Sequence, residues 1–183
     1  MDIFETATAE FERIVAALPS DSWGNATPCD VTVREVVGHV AGGNLFAVRL
    51  LAGASAADAV AGLDDPLGDN PLSAVQASGA DQLAAFAAAD KTLPLHHPSG
   101  DISYDTFVRF RLGELVVHAW DLTIGAHLDP TLDNSVVDAL WTMVEPHLGD
   151  MQKMNAFGDG PSGTLPPKAS PQSRLLDAFG RRP

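Results

Sequence analysis

Arg111, Glu114, His118 and Asp121 recur within one stretch of the chain, at offsets of three, seven and ten from the first. Projected on an α-helix at 100° per residue, they fall within about 80° of the direction of Phe107, together with Phe110 and Val117. A carboxylate and an imidazole four residues apart stand about 5 to 6 Å apart at Cβ, near enough to converge on one cation. A third donor comes from another segment. His39 shares a helical line with Gly43, Phe46 and Leu50, at the flank of the apolar set Val33, Val36, Val37 and Val40, and is expected to point inward. Two imidazoles and one carboxylate contributed by facing helices are how metal sites in bundle cores are built. Three protein ligands also leave a coordination position open for water or substrate, as in catalytic rather than structural zinc sites. The candidate metal site is therefore His39, Glu114 and His118, and such a donor set accepts Zn, Ni, Fe or Mn, with zinc the first expectation.

Simpler readings stand beside this one. A hydrogen-bonded pair one helical turn apart explains Glu114 and His118 equally well, and His39 alone reads as a core histidine. Arg111 and Asp121, the candidates for catalytic support, form either a structural ion pair or partners that orient the histidines, the second being favoured for Asp121. His96 and His97 lie in a Pro-flanked connector, and His127 and His147 near helix ends, so all four read as surface or capping residues. Gly42 and Gly43, inside a helix, cost about 1 kcal/mol each relative to Ala, which implies that a neighbour passes close or a ligand needs the space. Cys29, three residues ahead of a helix cap, is too far away to feel much of the helix dipole and reads as a packed, inert thiol.

The elements that must position these residues are helical. Phe4, Ala7, Phe11, Ile14, Val15 and Leu18 repeat at three and four, with Asp2 and Glu5 as a capping box, so a helix ends before Pro19. Thr32 with Glu35 opens a second helix reaching about Leu51, with Val31 and Val36 as a hydrophobic staple. Residues 52–72, rich in Gly, Asp and Pro, read as a long loop that could cover the site. Ser73 and Gln76 open a third helix to about Ala89, residues 104–124 form a fourth, and residues 134–148 a fifth that frays at Pro146. Ser170 and Pro171 begin a short terminal helix closed by Gly180. No segment shows period-two alternation bounded by turns. The fold class is all-α: a four-helix bundle with one or two accessory helices.

With 183 residues the chain fits one domain, residues 1–183, in which 150–183 is a loop-rich tail ending in the short helix. Its 11 basic and 24 acidic residues give a formal charge of −13, so a polyphosphate is repelled and nucleic acid is not an expected partner. No apolar run approaches the roughly 20 residues that span a bilayer, so no membrane association is expected. The N-terminus lacks the basic and apolar regions of a secretory signal, and the single cysteine cannot form an internal disulfide, which together indicate the cytoplasm.

The stretches Thr27-Pro28-Cys29, Thr32-Val33-Arg34-Glu35-Val36-Val37-Gly38-His39-Val40 and Gly113-Glu114-Leu115-Val116-Val117-His118-Ala119-Trp120-Asp121-Leu122 resemble the N-terminal metal-binding domain of the mycothiol-dependent maleylpyruvate isomerase family, within the DinB/YfiT-like helical-bundle superfamily. The tail from Ser173 to Pro183 is similar to that of short actinobacterial members. The resemblance implies a DinB-like bundle in which His39, Glu114 and His118 bind a divalent metal. It also implies a small-molecule thiol, mycothiol in an actinobacterium, that is transferred to or isomerises a small electrophile; Arg111 is our own candidate for steering an anionic group. Two departures are visible. Related chains carry a Trp shortly before the Thr-Val of the second helix, where this one has Asp30-Val31. The isomerase also has a second domain for which 183 residues leave no room, so maleylpyruvate itself is not the expected substrate. Because a thiol of pKa near 8.5 is about 3% ionised at pH 7, complete ionisation gains at most roughly 30-fold, and most of the catalysis must come from holding the electrophile beside the sulfur. The rival reading is a non-catalytic metal- or small-ligand-binding bundle, which allows a homodimer.

Overall fold

A computed structural model describes residues 2–149 and 160–183. Each long helix begins on a side chain that satisfies its first free amides. Asp2 and Glu5 form a capping box on α1 (Ile3–Ala17), and Thr32 with Glu35 forms another on α2 (Val33–Leu51). A short α3 (Ala56–Val60), capped by Ser55, lies inside the segment expected to be loop. Helix α4 (Pro71–Ala88) starts earlier than expected: Asn70 is the cap, its Oδ1 accepts from Ser73 N, and Pro71 occupies the first helical position, where a missing amide costs nothing. Ser103 caps α5 (Tyr104–Gly125), Asp133 caps α6 (Asn134–Val144), and Ser170 with Pro171 opens α7 (Pro171–Ala178). At Pro146 the chain passes from α6 into a 3₁₀ turn over Glu145–His147.

The bundle is formed by α1, α4, α2 and α5, each packed on the next around a closed ring; α6 lies against α5 and α1, and α7 against α6. This is the all-α, DinB-like architecture. Phe11, Leu50, Phe107, Leu112, Leu115 and Phe179 fill its centre and are almost wholly excluded from solvent. Helix α5 is enclosed on nearly all sides, burying Leu112, Val116 and Trp120 as well as Phe107 and Val117, so every charge it carries on those faces must find a partner inside the protein.

The connector between α4 and α5 departs from the expectation of no strands. Strands β1 (Leu95–His97) and β2 (Gly100–Ile102) pair antiparallel, Leu95 opposite Ile102 and His97 opposite Gly100. Three residues per strand leave only one alternation each, too short a signature to read from residue types. Of the expected tail over 150–183, residues 150–159 lie outside the described residues; residues 160–170 are irregular, and α7 follows. No helix among the described residues is long and apolar enough to cross a membrane.

Candidate metal centre and adjoining cavity

The three donors meet where α2 crosses α5. His39 Nε2 lies 2.5 Å from Glu114 Oε2, and His118 Nε2 lies 3.2 Å from the same oxygen. The two imidazoles stand edge to face, 5.1 Å between centroids. The group is not sealed in the core. The His39 side chain is 58% exposed, against 22% for Glu114 and 14% for His118, so the inward orientation expected for His39 is corrected: it stands at the rim and reaches across to α5. Position 39 lies at the edge of the apolar face of α2, and a helix edge offers solvent on one side and the neighbouring helix on the other.

The electrostatics favour charge at this point. Burial pushes the Glu114 carboxyl up, but hydrogen bonds from His118 and His39 and their positive charge outweigh it, holding it well below the ordinary carboxylate range. Burial pushes His118 down, and its hydrogen bonds with Asp121, Cys29 and Glu114, together with the Glu114 charge, more than reverse that. The Nδ1–H of His118 donates to Asp121 Oδ2 at 2.9 Å, which fixes the ring and turns Nε2 toward Glu114. Asp121, itself fully buried, accepts from Arg181 through Nε at 3.0 Å and Nη2 at 2.6 Å. Burial raises its carboxyl and these partners lower it further, so it ionises below its usual range.

Arg181 carries no helical periodicity that would mark it, and 60 residues separate it from Asp121. Phe179 directs it there. That ring is buried and packs where α5 has Gly113, whose Cβ would stand 3.0 Å from it. Cys29 is likewise closer to the site than its sequence position suggests. The loop before α2 turns back through Asp30, which has a left-handed φ of 62°, and docks on the end of α5, where Asn25 Nδ2 donates to Gly125 O. The Cys29 sulfur, the His118 ring nitrogen and an Asp121 oxygen lie within 4.8 Å of one another.

Arg111 and Asp121 do not pair. The buried Arg111 turns to α2 and α4, donating from Nε to Gln82 Oε1 at 2.8 Å and from Nη2 to Asn44 Oδ1 at 2.9 Å. Arg111, Glu114 and His39 line a cavity of about 760 Å³. Its walls include Phe46, Phe107 and Phe110, and the 52–72 segment contributes Leu63 to Leu67. His97 also belongs to this wall rather than to the surface, its ring 5.6 Å from Phe110 and 5.8 Å from Phe46, because the hairpin folds over the cavity. His96 is exposed beside Asp101, and His127 sits just past α5 with a left-handed φ of 56°. His147 accepts from Arg109 at 3.2 Å, the ring nitrogen serving as the acceptor.

Two imidazole nitrogens and a carboxylate oxygen, all within 4.8 Å of one another, suit a divalent ion. Donors about 2.1 Å from one tetrahedral ion stand roughly 3.4 Å apart, so small side-chain adjustments suffice.

A helical bundle with an ion-sized cluster of two histidines and a glutamate, opening on an apolar cavity, is the class of protein that this geometry defines. The comparisons specify it further. Residues 4–123 match the family described as the mycothiol maleylpyruvate isomerase N-terminal domain, and the chain belongs to that family. An uncharacterised protein of Mycobacterium tuberculosis, in strains CDC 1551 / Oshkosh and ATCC 25618 / H37Rv, is 28% identical over 184 residues, covering 97% of this chain and 94% of its own length. No solved structure matches the chain.

Proposed function

We propose that this protein is a divalent-metal enzyme that uses a low-molecular-weight thiol of the mycothiol type to modify or isomerise small electrophiles. One observation carries the reading: His39 and His118 both aim Nε2 at Glu114 Oε2 at the edge of an open cavity, in a chain of the mycothiol isomerase family. His39, Glu114 and His118 would hold the metal, with zinc the first choice for this donor set. A bound divalent ion supplies Lewis acidity, which lowers the pKa of a thiol. The chain's own residues do the rest. Asp121 accepts a hydrogen bond from His118 Nδ1–H, which keeps that proton on Nδ1 and leaves Nε2 to ligate; Arg181 neutralises Asp121 and holds it in place. The exposed edge of His39 admits the thiol from solvent, and the aromatic wall receives the electrophile beside it, so that proximity supplies most of the rate.

The test is elemental analysis of the purified protein joined to a conjugation assay with mycothiol and monochlorobimane. The reading expects about one equivalent of metal and a conjugation rate that rises with protein concentration. Loss of both is expected in His118→Ala, with the fold retained by circular dichroism. Bound metal without thiol reactivity toward a panel of electrophiles, and with a large fall in melting temperature on its removal, would overturn the enzyme reading in favour of a structural site.

A further inference from the structure

Arg111 is a buried cation without a carboxylate partner. It is 5% exposed, and among the described residues no carboxylate comes within 4.0 Å of its guanidinium. Its hydrogen-bond partners are neutral, Gln82 Oε1, Asn44 Oδ1 and, at 3.5 Å, Val40 O, and the Glu114 carboxylate acts on it only through space. These engage Nε and Nη2 and leave Nη1 with no hydrogen bond among the described residues, in a side chain that lines the cavity. Beside it a second donor, Gln82 Nε2, is fully buried with no partner among the described residues. Donors therefore exceed acceptors around a desolvated positive charge, an imbalance that buried polar groups rarely tolerate. The backbone makes room for this arrangement: Gly43 lacks the Cβ that would stand 2.3 Å from Nη1.

The rest of the cavity defines what the anion is attached to. Phe46, Phe107 and Phe110, with the His97 ring, present flat apolar faces, while Glu35, Asp64 and Asp65 are exposed at the rim and outnumber the exposed guanidinium of Arg34 there. One carboxylate reaching Arg111 gains a charge-assisted contact in a dry setting. A second carboxylate would be held among the rim acids of a protein with a formal charge of −13. We infer that Arg111 is the anion anchor of a ligand site whose ligand is a flat, apolar, singly charged organic acid, with its ring along Phe46 and Phe110 and its carboxylate at the guanidinium. As the electrophile of the reaction, this acid rests on the function proposed above; its binding does not.

The experiment uses the full chain and 2-naphthoate as probe, with binding read by isothermal calorimetry and saturation-transfer NMR, both as purified and after EDTA treatment. Expected is saturable binding of 2-naphthoate that is unchanged within about threefold by EDTA. The uncharged 2-naphthamide should bind at least about 30-fold more weakly, and naphthalene-2,6-dicarboxylate more weakly than the monoacid. Arg111→Gln should abolish naphthoate binding; if that variant does not fold, the ligand series on the unaltered protein decides alone. Equal binding of acid and amide, binding lost with EDTA, or preference for the diacid would each overturn the inference. Naphthoate binding in a protein that holds no metal would leave the anchor standing and sink the proposed function. Metal and thiol activity with no naphthoate binding would do the reverse.

Discussion

The guanidinium of Arg111 occupies the space that a side chain at Gly43 would need: a Cβ there would stand 2.3 Å from Nη1 and 2.9 Å from Cζ. Because Gln82 and Asn44 hold the guanidinium, it cannot swing aside without breaking buried hydrogen bonds. Gly43→Ala is therefore expected to cost about 1 to 3 kcal/mol in urea unfolding despite the better helix propensity of Ala. Gly42→Ala is the contrast. Its nearest neighbour is Pro66 Cγ at 3.6 Å, an ordinary contact, so propensity prevails and the variant should be as stable as the parent or up to about 1 kcal/mol more so. Equal losses in both variants would show that Arg111 is not fixed there.

Asp121→Asn tests the chain of contacts behind His118. The substitution removes the charge that Arg181 neutralises and weakens the acceptor that fixes the His118 ring. Zinc affinity measured by chelator competition should fall about 10- to 100-fold. Arg181→Gln should cause a smaller loss, and the double variant should lose little more than Asp121→Asn alone, because Arg181 acts through Asp121. Additive losses would place Arg181 in an independent role.

Much of this arrangement was legible in residue spacing, and what was not has identifiable causes. The capping boxes at Asp2/Glu5 and Thr32/Glu35 are local codes, and the long apolar run around α5 admits little but a buried helix. Spacing puts Glu114 and His118 on one turn, and the face of α2 brings His39 near them. It does not show that His39 is largely exposed, because exposure depends on which neighbour covers the helix edge. The Arg181 contact depends on Phe179 docking at Gly113, a packing event with no sequence period. Cys29 reaches His118 and Asp121 through the left-handed turn at Asp30, a residue type that gives no strong signal for it. His97 joins the cavity because a hairpin of two three-residue strands carries it there.

The corrected start of α4 has its own consequence. Asn70 Oδ1 accepts from Ser73 N, whereas Ser73 is an exposed residue of the first turn. Asn70→Ala should lower stability by about 1 kcal/mol, and Ser73→Ala should change it by less than about 0.5 kcal/mol in either direction. If chemical denaturation gives the larger loss at Ser73, the cap lies where residue types alone had placed it.

The coupled charges at the site fix how the metal-free protein responds to pH. Glu114 and Asp121 ionise below their ordinary values of 4.5 and 3.8, so the stability they contribute is present above those values and is lost as pH falls through their lowered folded values. His118 holds its proton well above the ordinary 6.5, so its contribution is complete below 6.5 and is lost as pH rises through its folded value. These groups together should make EDTA-treated protein most resistant to urea between about pH 4.5 and 6.5, with a decline on the alkaline side that His118→Ala removes. The same proton must leave His118 before Nε2 can ligate. Zinc affinity should therefore climb with pH across the range in which the apoprotein weakens, with proton release on binding measurable by calorimetry in buffers of different ionisation enthalpy. Affinity independent of pH from 6 to 9 would show that His118 does not give up a proton to the ion.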